Sequence, residues 1–145
     1  MFCTSRTELT STRSPKTESK LVSSVPKRVL EIGNCGPDHH AFSQLLDQHF
    51  DAVVDPAHQE VDARKLLDER KFALIVVNRL LDIDGSSGLE IIRSLKQSHP
   101  DVPVMMITNY ADHQETAVAN GAEPGFGKNS LGDPSTVELL KKFLD

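Results

Sequence analysis

Phe72-Ala73-Leu74-Ile75-Val76-Val77 is an unbroken apolar run rich in β-branched side chains. A strand with one wet face alternates between apolar and polar positions. A run without a polar position has to be covered on both faces, which happens where helices pack above and below parallel strands. The run therefore predicts the central strand of a parallel sheet and calls for crossover helices elsewhere in the chain.

The remaining sequence supplies them. Val29-Leu30-Glu31-Ile32 reads as a first strand, followed by Gly33-Asn34-Cys35-Gly36-Pro37 and a helix with Phe42, Leu45 and Leu46 on one face. Asp51-Ala52-Val53-Val54 reads as a brief second strand stopped by Pro56. Val61, Leu66 and Leu67 mark the inner face of a second helix, with Arg64, Lys65, Asp68 and Glu69 outward. Past the central strand, Asn78 to Gly88 is a polar loop. Leu89, Ile91, Ile92 and Leu95 stripe a third helix, which His99-Pro100-Asp101 ends. Val102 to Ile107 predicts a fourth strand, and Asp112 to Ala119 a helix closed by Gly121. Glu123 to Gly127 is a weak fifth strand, since Pro124, Gly125 and Gly127 disfavour regular pairing. Pro134 opens a last helix with Val137, Leu140, Phe143 and Leu144 inward. Five βα units predict an α/β domain: a doubly wound, five-stranded parallel sheet whose functional rim lies at the carboxyl ends of its strands.

The domain is expected over residues 27–145, preceded by a disordered tail over 1–26. The tail is crowded with Ser and Thr, has no apolar periodicity, and lacks the apolar run of a secretory signal. Residues 1–25 carry a net charge of +2, from Arg6, Arg13, Lys16 and Lys20 against Glu8 and Glu18, in a chain whose total is −5. The folded part thus carries −7, which argues against nucleic-acid or anionic-membrane partners. With 38% hydrophobic and 26% charged residues and no membrane-length apolar stretch, the chain reads as soluble and globular. Cys3 and Cys35 have no metal-ligand spacing, so a disulfide scaffold and a structural zinc are not expected, and a cytoplasmic location fits.

The residues just past the strands define the rim: Gly33, Asn34 and Cys35 after the first, Asn78 after the third, Thr108 after the fourth, and Lys128 after the fifth. Together with Leu89-Glu90-Ile91-Ile92 after a Gly-ended loop, Ile107-Thr108, and Gly121-Ala122 ahead of Lys128, this layout resembles the receiver domain of bacterial response regulators. The resemblance covers Lys27 to Asp145 and implies the flavodoxin-like strand order 2-1-3-4-5. It also implies a rim where an acidic pair after the first strand holds Mg²⁺ and an Asp after the third strand accepts a phosphoryl group. A Thr or Ser and a Lys there bind the phosphoryl oxygens. Thr108 and Lys128 match that pattern. The acidic pair falls on two of Gly33, Asn34 and Cys35, and the acceptor falls on Asn78, so no carboxylate stands at any of these positions.

An acyl phosphate needs an ionised carboxylate as nucleophile, and an Asn amide cannot serve. Mg²⁺ wants hard anionic oxygens, whereas Asn34 and Asn78 offer neutral carbonyls. The sequence thus predicts no catalytic residue, no metal, no cofactor and no enzymatic activity. The aromatic that receivers usually carry three residues before the Lys is Gly125 here, and Phe126 by strand alternation faces the other way. The family's Lys-Pro step is Lys128-Asn129, where a trans bond is the default because cis costs roughly 2.5 to 4 kcal/mol.

Lys128 is expected to bond Asn78 and backbone carbonyls rather than a charge partner, and Thr108 to bond backbone. Asp82 and Asp84 are the displaced-carboxylate candidates, although Asp, Gly and Ser in such a loop usually make turns. Asp38 reads as an N-cap or first-turn acid of the first helix, or else a substitute ligand. His39 and His40 read as a solvated pair, and Cys35 as a thiol near a helix N-terminus. Taken together, these features predict a stand-alone receiver-like module of two-component signalling that docks signalling proteins through the face from Tyr110 to Asp145. Self-association as a homodimer is compatible with it. Two rival readings are an active phosphorelay receiver using Asp82 or Asp84, and a flavodoxin-like binder of a small ligand. The second has little aromatic surface to offer a flavin, with no Trp and Tyr110 as the single Tyr.

Overall fold

The computed structural model describes residues 26–145. Cys3 and almost all of the expected tail lie outside the described residues. The chain alternates β1 (Lys27–Ile32), α1 (Gly36–His49), β2 (Ala52–Ala57), α2 (Glu60–Glu69), β3 (Leu74–Asn78), α3 (Gly88–Ser98), β4 (Val104–Ile107), α4 (Ala111–Ala119), β5 (Glu123–Phe126), a 3₁₀ turn (Lys128–Ser130) and α5 (Pro134–Leu144). All strand pairs are parallel and the sheet order is β2-β1-β3-β4-β5. This is the doubly wound, flavodoxin-like order, with β3 central.

Strand alternation divides the core in two. Leu30, Ile32, Ile75, Val77, Val104 and Met106 point to the side covered by Ala63, Ile91, Ile92, Leu95 and Ala117. Val29, Leu74, Val76, Met105 and Ile107 point to the side covered by Phe42, Leu46, Leu140 and Leu144. Each side chain on these strands leaves water whichever way it points, which is why β3 carries no polar residue before Asn78. At roughly 1.5 to 3 kcal/mol for each large apolar side chain buried, these two layers dominate the fold's stability. Ser87 caps α3 by accepting the Glu90 N–H, and Pro37 and Pro134 sit in the first turns of α1 and α5, where a missing N–H costs nothing.

Two expectations need correction. Pro56 does not stop the second strand, because β2 runs through it to Ala57 and pairs in register with β1. Lys27 N donates to Asp51 O and Gly33 N to Ala57 O, so the odd-numbered carbonyls of β2 face β1 and Pro56 faces outward, where no ladder bond is lost. Val61 is 67% exposed; the buried contact of α2 is Ala63, with Leu66 and Leu67 half-buried beside it. The weak fifth strand is real, but its pairing slips between Met105 and Ile107, where Pro124 and Gly125 stand opposite.

Candidate functional site

The loop after β1 is seated by Gly33, whose φ of +86° and close approach exclude a side chain: an added Cβ would lie 2.7 Å from the Leu81 side chain. Its carbonyl accepts the Asp82 N–H at 2.9 Å, joining the loops after β1 and β3. One residue before the strand ends, Glu31 is buried at 1% exposure. Such a carboxyl needs partners, and it has two: Asn34 Nδ2 donates to Oε2 at 2.6 Å, and His39 Nδ1 meets Oε1 at 2.5 Å. His39 is therefore not one half of a solvated pair, whereas His40 is exposed. Asn34 Oδ1 is buried without a hydrogen-bond partner.

Cys35 is the N-cap residue of α1, and Asp38 lies in the first turn. The Cys35 thiol donates to Asp38 Oδ2 at 3.1 Å, and Lys128 Nζ donates to the same oxygen at 2.6 Å. The Lys128 hydrogen bond, then that of Cys35, holds the Asp38 carboxyl below the usual carboxylate range against a small opposing effect of burial. The expectation that Lys128 has no charge partner is thus overturned. A carboxylate one helical turn beyond the first loop reaches it across the rim.

Asn78 donates its amide to Leu80 O at 2.8 Å and to Gly33 O at 3.4 Å, and Lys128 donates to Asp38 rather than to Asn78. Thr108 is buried, and its hydroxyl oxygen accepts the Tyr110 N–H at 3.3 Å. Asn78, Arg79, Leu80, Ile107, Thr108, Asn109, Tyr110 and Lys128 enclose a cavity of about 180 Å³. Tyr110 is 57% exposed, with the Arg79 guanidinium 5.6 Å above its ring and His113 at its edge. Asp82 and Asp84 do not line this cavity. The Asp84 carboxylate accepts from the hydroxyl and N–H of Ser86, which keep its pKa low and shape a turn.

A second cavity of about 350 Å³ continues past Thr108, Asn109 and Tyr110 to Gly125, Gly127 and Ser130. Gln114 of α4 crosses its base. Its Nε2 donates to Met106 O at 2.9 Å, and its Oε1 accepts the Gly125 N–H at 3.0 Å, tying α4 to both β4 and β5. A Cβ at residue 125 would lie 2.3 Å from Met106 O, so Gly125 is required by this close approach. Phe126 faces the opposite layer and stacks on Phe42. No peptide bond among the described residues is cis, Lys128-Asn129 included.

The donors here do not suit the Mg²⁺ that the receiver pattern implies. Among the described residues no group of three or more His, Cys, Asp and Glu is placed to hold a metal. The accessible carboxylate, Asp38, is bound to an ammonium, and the unpartnered Asn34 oxygen is neutral.

Sheet order and rim define a doubly wound signalling-type domain with its polar cluster at the carboxyl ends of β1, β3, β4 and β5. Residues 38–127 match the family model of the response regulator receiver domain, and the chain belongs to that family. No curated protein matches it. Among solved structures, it is similar to a response regulator from Burkholderia pseudomallei with a phosphorylated aspartic acid, a calcium ion and citrate. That match has 27% identity and a TM-score of 0.62, spanning 82% of this chain and 66% of that one. The beryllofluoride-activated NtrC4 receiver domain dimer matches at 25% identity and a TM-score of 0.64, over 79% of this chain and 93% of that one. A receiver domain of an HD domain-containing protein from Pseudomonas fluorescens Pf-5 shares the fold at 18% identity, with a TM-score of 0.69 over 82% and 87% of the two chains. No helix among the described residues is long and apolar enough to cross a membrane.

Proposed function

We propose that this receiver domain is not phosphorylated on aspartate and acts in the cytoplasm by binding signalling proteins through the face formed by α4, β5 and α5, from Tyr110 to Asp145. The observation that carries this reading is the 2.6 Å bond between Lys128 and Asp38, formed while Asn78 stands at the acceptor position. An ammonium that would meet a phosphoryl oxygen is already neutralised, and the residue that would carry the phosphoryl group has no nucleophilic oxygen. The Gln114 clasp supports the same reading. It fixes β4, α4 and β5 in one arrangement, without the aromatic whose rotation would make the face conditional. Binding through this face is constitutive.

The test is incubation of the full chain with a small phosphodonor and Mg²⁺, followed by intact mass. An unchanged mass is expected. An acyl species heavier by about 80 Da, the mass of one added phosphoryl group, would defeat the reading and direct attention to Asp82 and Asp84.

A further inference from the structure

We propose that the trough around Tyr110, with Arg79 at one end, is a binding site for a carboxylate-bearing segment of a partner protein. The proposal rests on the docking reading above and specifies the chemistry of the partner. The two cavities share Thr108, Asn109 and Tyr110 and so adjoin along the rim, about 180 Å³ on the Arg79 side and about 350 Å³ on the Gly125 side. Among the described residues no carboxylate lines either part, although the folded region is strongly acidic.

The lining is rich in free donors. Arg79 is half-buried with its guanidinium over the Tyr110 ring, and its side chain has no ion-pair or hydrogen-bond partner among the described residues. Thr108 uses its hydroxyl oxygen as an acceptor from Tyr110 N, which leaves its proton to give. Asn109 Oδ1 accepts the Asn129 N–H, which leaves the Asn109 amide protons unspent. Lys128 gives one proton to Asp38 and has two more. A guanidinium fork resting over an aromatic ring with its donors unspent is able to make two parallel bonds to a carboxylate.

The open shape suits a chain rather than a lone ion, since beyond the charged end it runs over the Gly125 and Gly127 backbone with room for an extended segment. A nucleic-acid strand is disfavoured. It would bring many phosphates to a region with one unpaired cation among the described residues, on a domain of net negative charge.

The full chain, labelled for amide and arginine side-chain NMR, is titrated at low salt with a blocked tetraglutamate peptide, a tetraglutamine control and inorganic phosphate. Saturable shifts at Arg79, Thr108, Asn109 and Tyr110 are expected with tetraglutamate and not with tetraglutamine. Arg79→Gln should weaken binding about tenfold, as for loss of one charge-assisted pair. Arg79→Lys should recover only part of it. Shifts confined to Lys141 and Lys142, an equal response to tetraglutamine, or phosphate binding that tetraglutamate does not displace would each overturn the assignment. A chain that stays unphosphorylated yet ignores tetraglutamate defeats this inference alone, whereas a phosphorylated chain that binds it defeats the docking reading and leaves the site standing.

Discussion

On the α1 side of the rim the titratable groups have mates: Glu31 holds Asn34 and His39, and Asp38 holds Cys35 and Lys128. Across Thr108, on the α4 side, Arg79 rests on an exposed ring with no counter-charge among the described residues, above a trough floored by glycine backbone. Both regions sit at the ends of neighbouring strands, so topology does not separate them. Charge accounting does. The α1 side draws its negative charge from positions flanking the loop, one residue before the strand end and one helical turn after it, and spends it internally. The α4 side keeps its donors for something else.

The largest expected effect comes from the clasp. Gly125→Phe forces a Cβ onto Met106 O and displaces Gln114, so it should cost at least about 3 kcal/mol by urea denaturation. A neutral result would mean that β5 and α4 are as pliable as an ordinary loop. His39→Leu comes next. It leaves a Glu31 oxygen buried without its ring partner, for a loss of about 1 to 3 kcal/mol. If that loss fails to appear, the α1 side is less closed on itself than its distances imply.

Asp38→Asn is smaller, about 0.2 to 1 kcal/mol, because both members of the Lys128 pair are about one-third exposed. Its sign is set by pH. The folded carboxyl titrates below its unfolded value of about 3.9, so the pair contributes fully above that pH and is lost as pH falls through the lowered folded value. The difference between native and Asp38→Asn chains should therefore hold at neutral pH and shrink only in the acid range below about pH 4. Acid denaturation curves of the two proteins check this. Arg79→Gln is the mildest. With only an exposed ring contact and, among the described residues, no ion pair or side-chain hydrogen bond to lose, it should leave stability within about 0.5 kcal/mol, which a thermal melt would register, while weakening tetraglutamate binding. A marked loss of stability would show that Arg79 is structural after all.

Most of the architecture is legible in the sequence because it follows from local pattern. Phe72 to Val77, the Leu89 to Leu95 stripe and the Leu140 to Leu144 end of α5 are each recognisable within a single element. Pro56 misled because a proline interrupts a strand only where its nitrogen faces a neighbour, and edge position is a property of the whole sheet. The Asp38–Lys128 pair joins residues 90 apart in sequence, a closeness that only the folded rim creates. Glu31 was within reach of sequence reasoning. A strand next to the central one has no wet face, so a carboxyl at its second-to-last position must find partners, and the amide and imidazole that follow it were the available ones. The donor excess around Arg79 had no sequence signal, since it consists of protons left over after other bonds form.

The two outer strands of the sheet, β2 and β5, each carry a proline, Pro56 and Pro124. A nitrogen without a hydrogen faces outward from β2, and Asp55 beside it is clamped by Arg28 and Arg70. That border offers no uninterrupted row of amides on which a neighbouring molecule could add a strand, and on β5 the Gly125 N–H is already taken by Gln114. Growth of the sheet from copy to copy, the first step toward fibrous aggregation, is thereby interrupted at both margins, and encounters between molecules fall to their side chains.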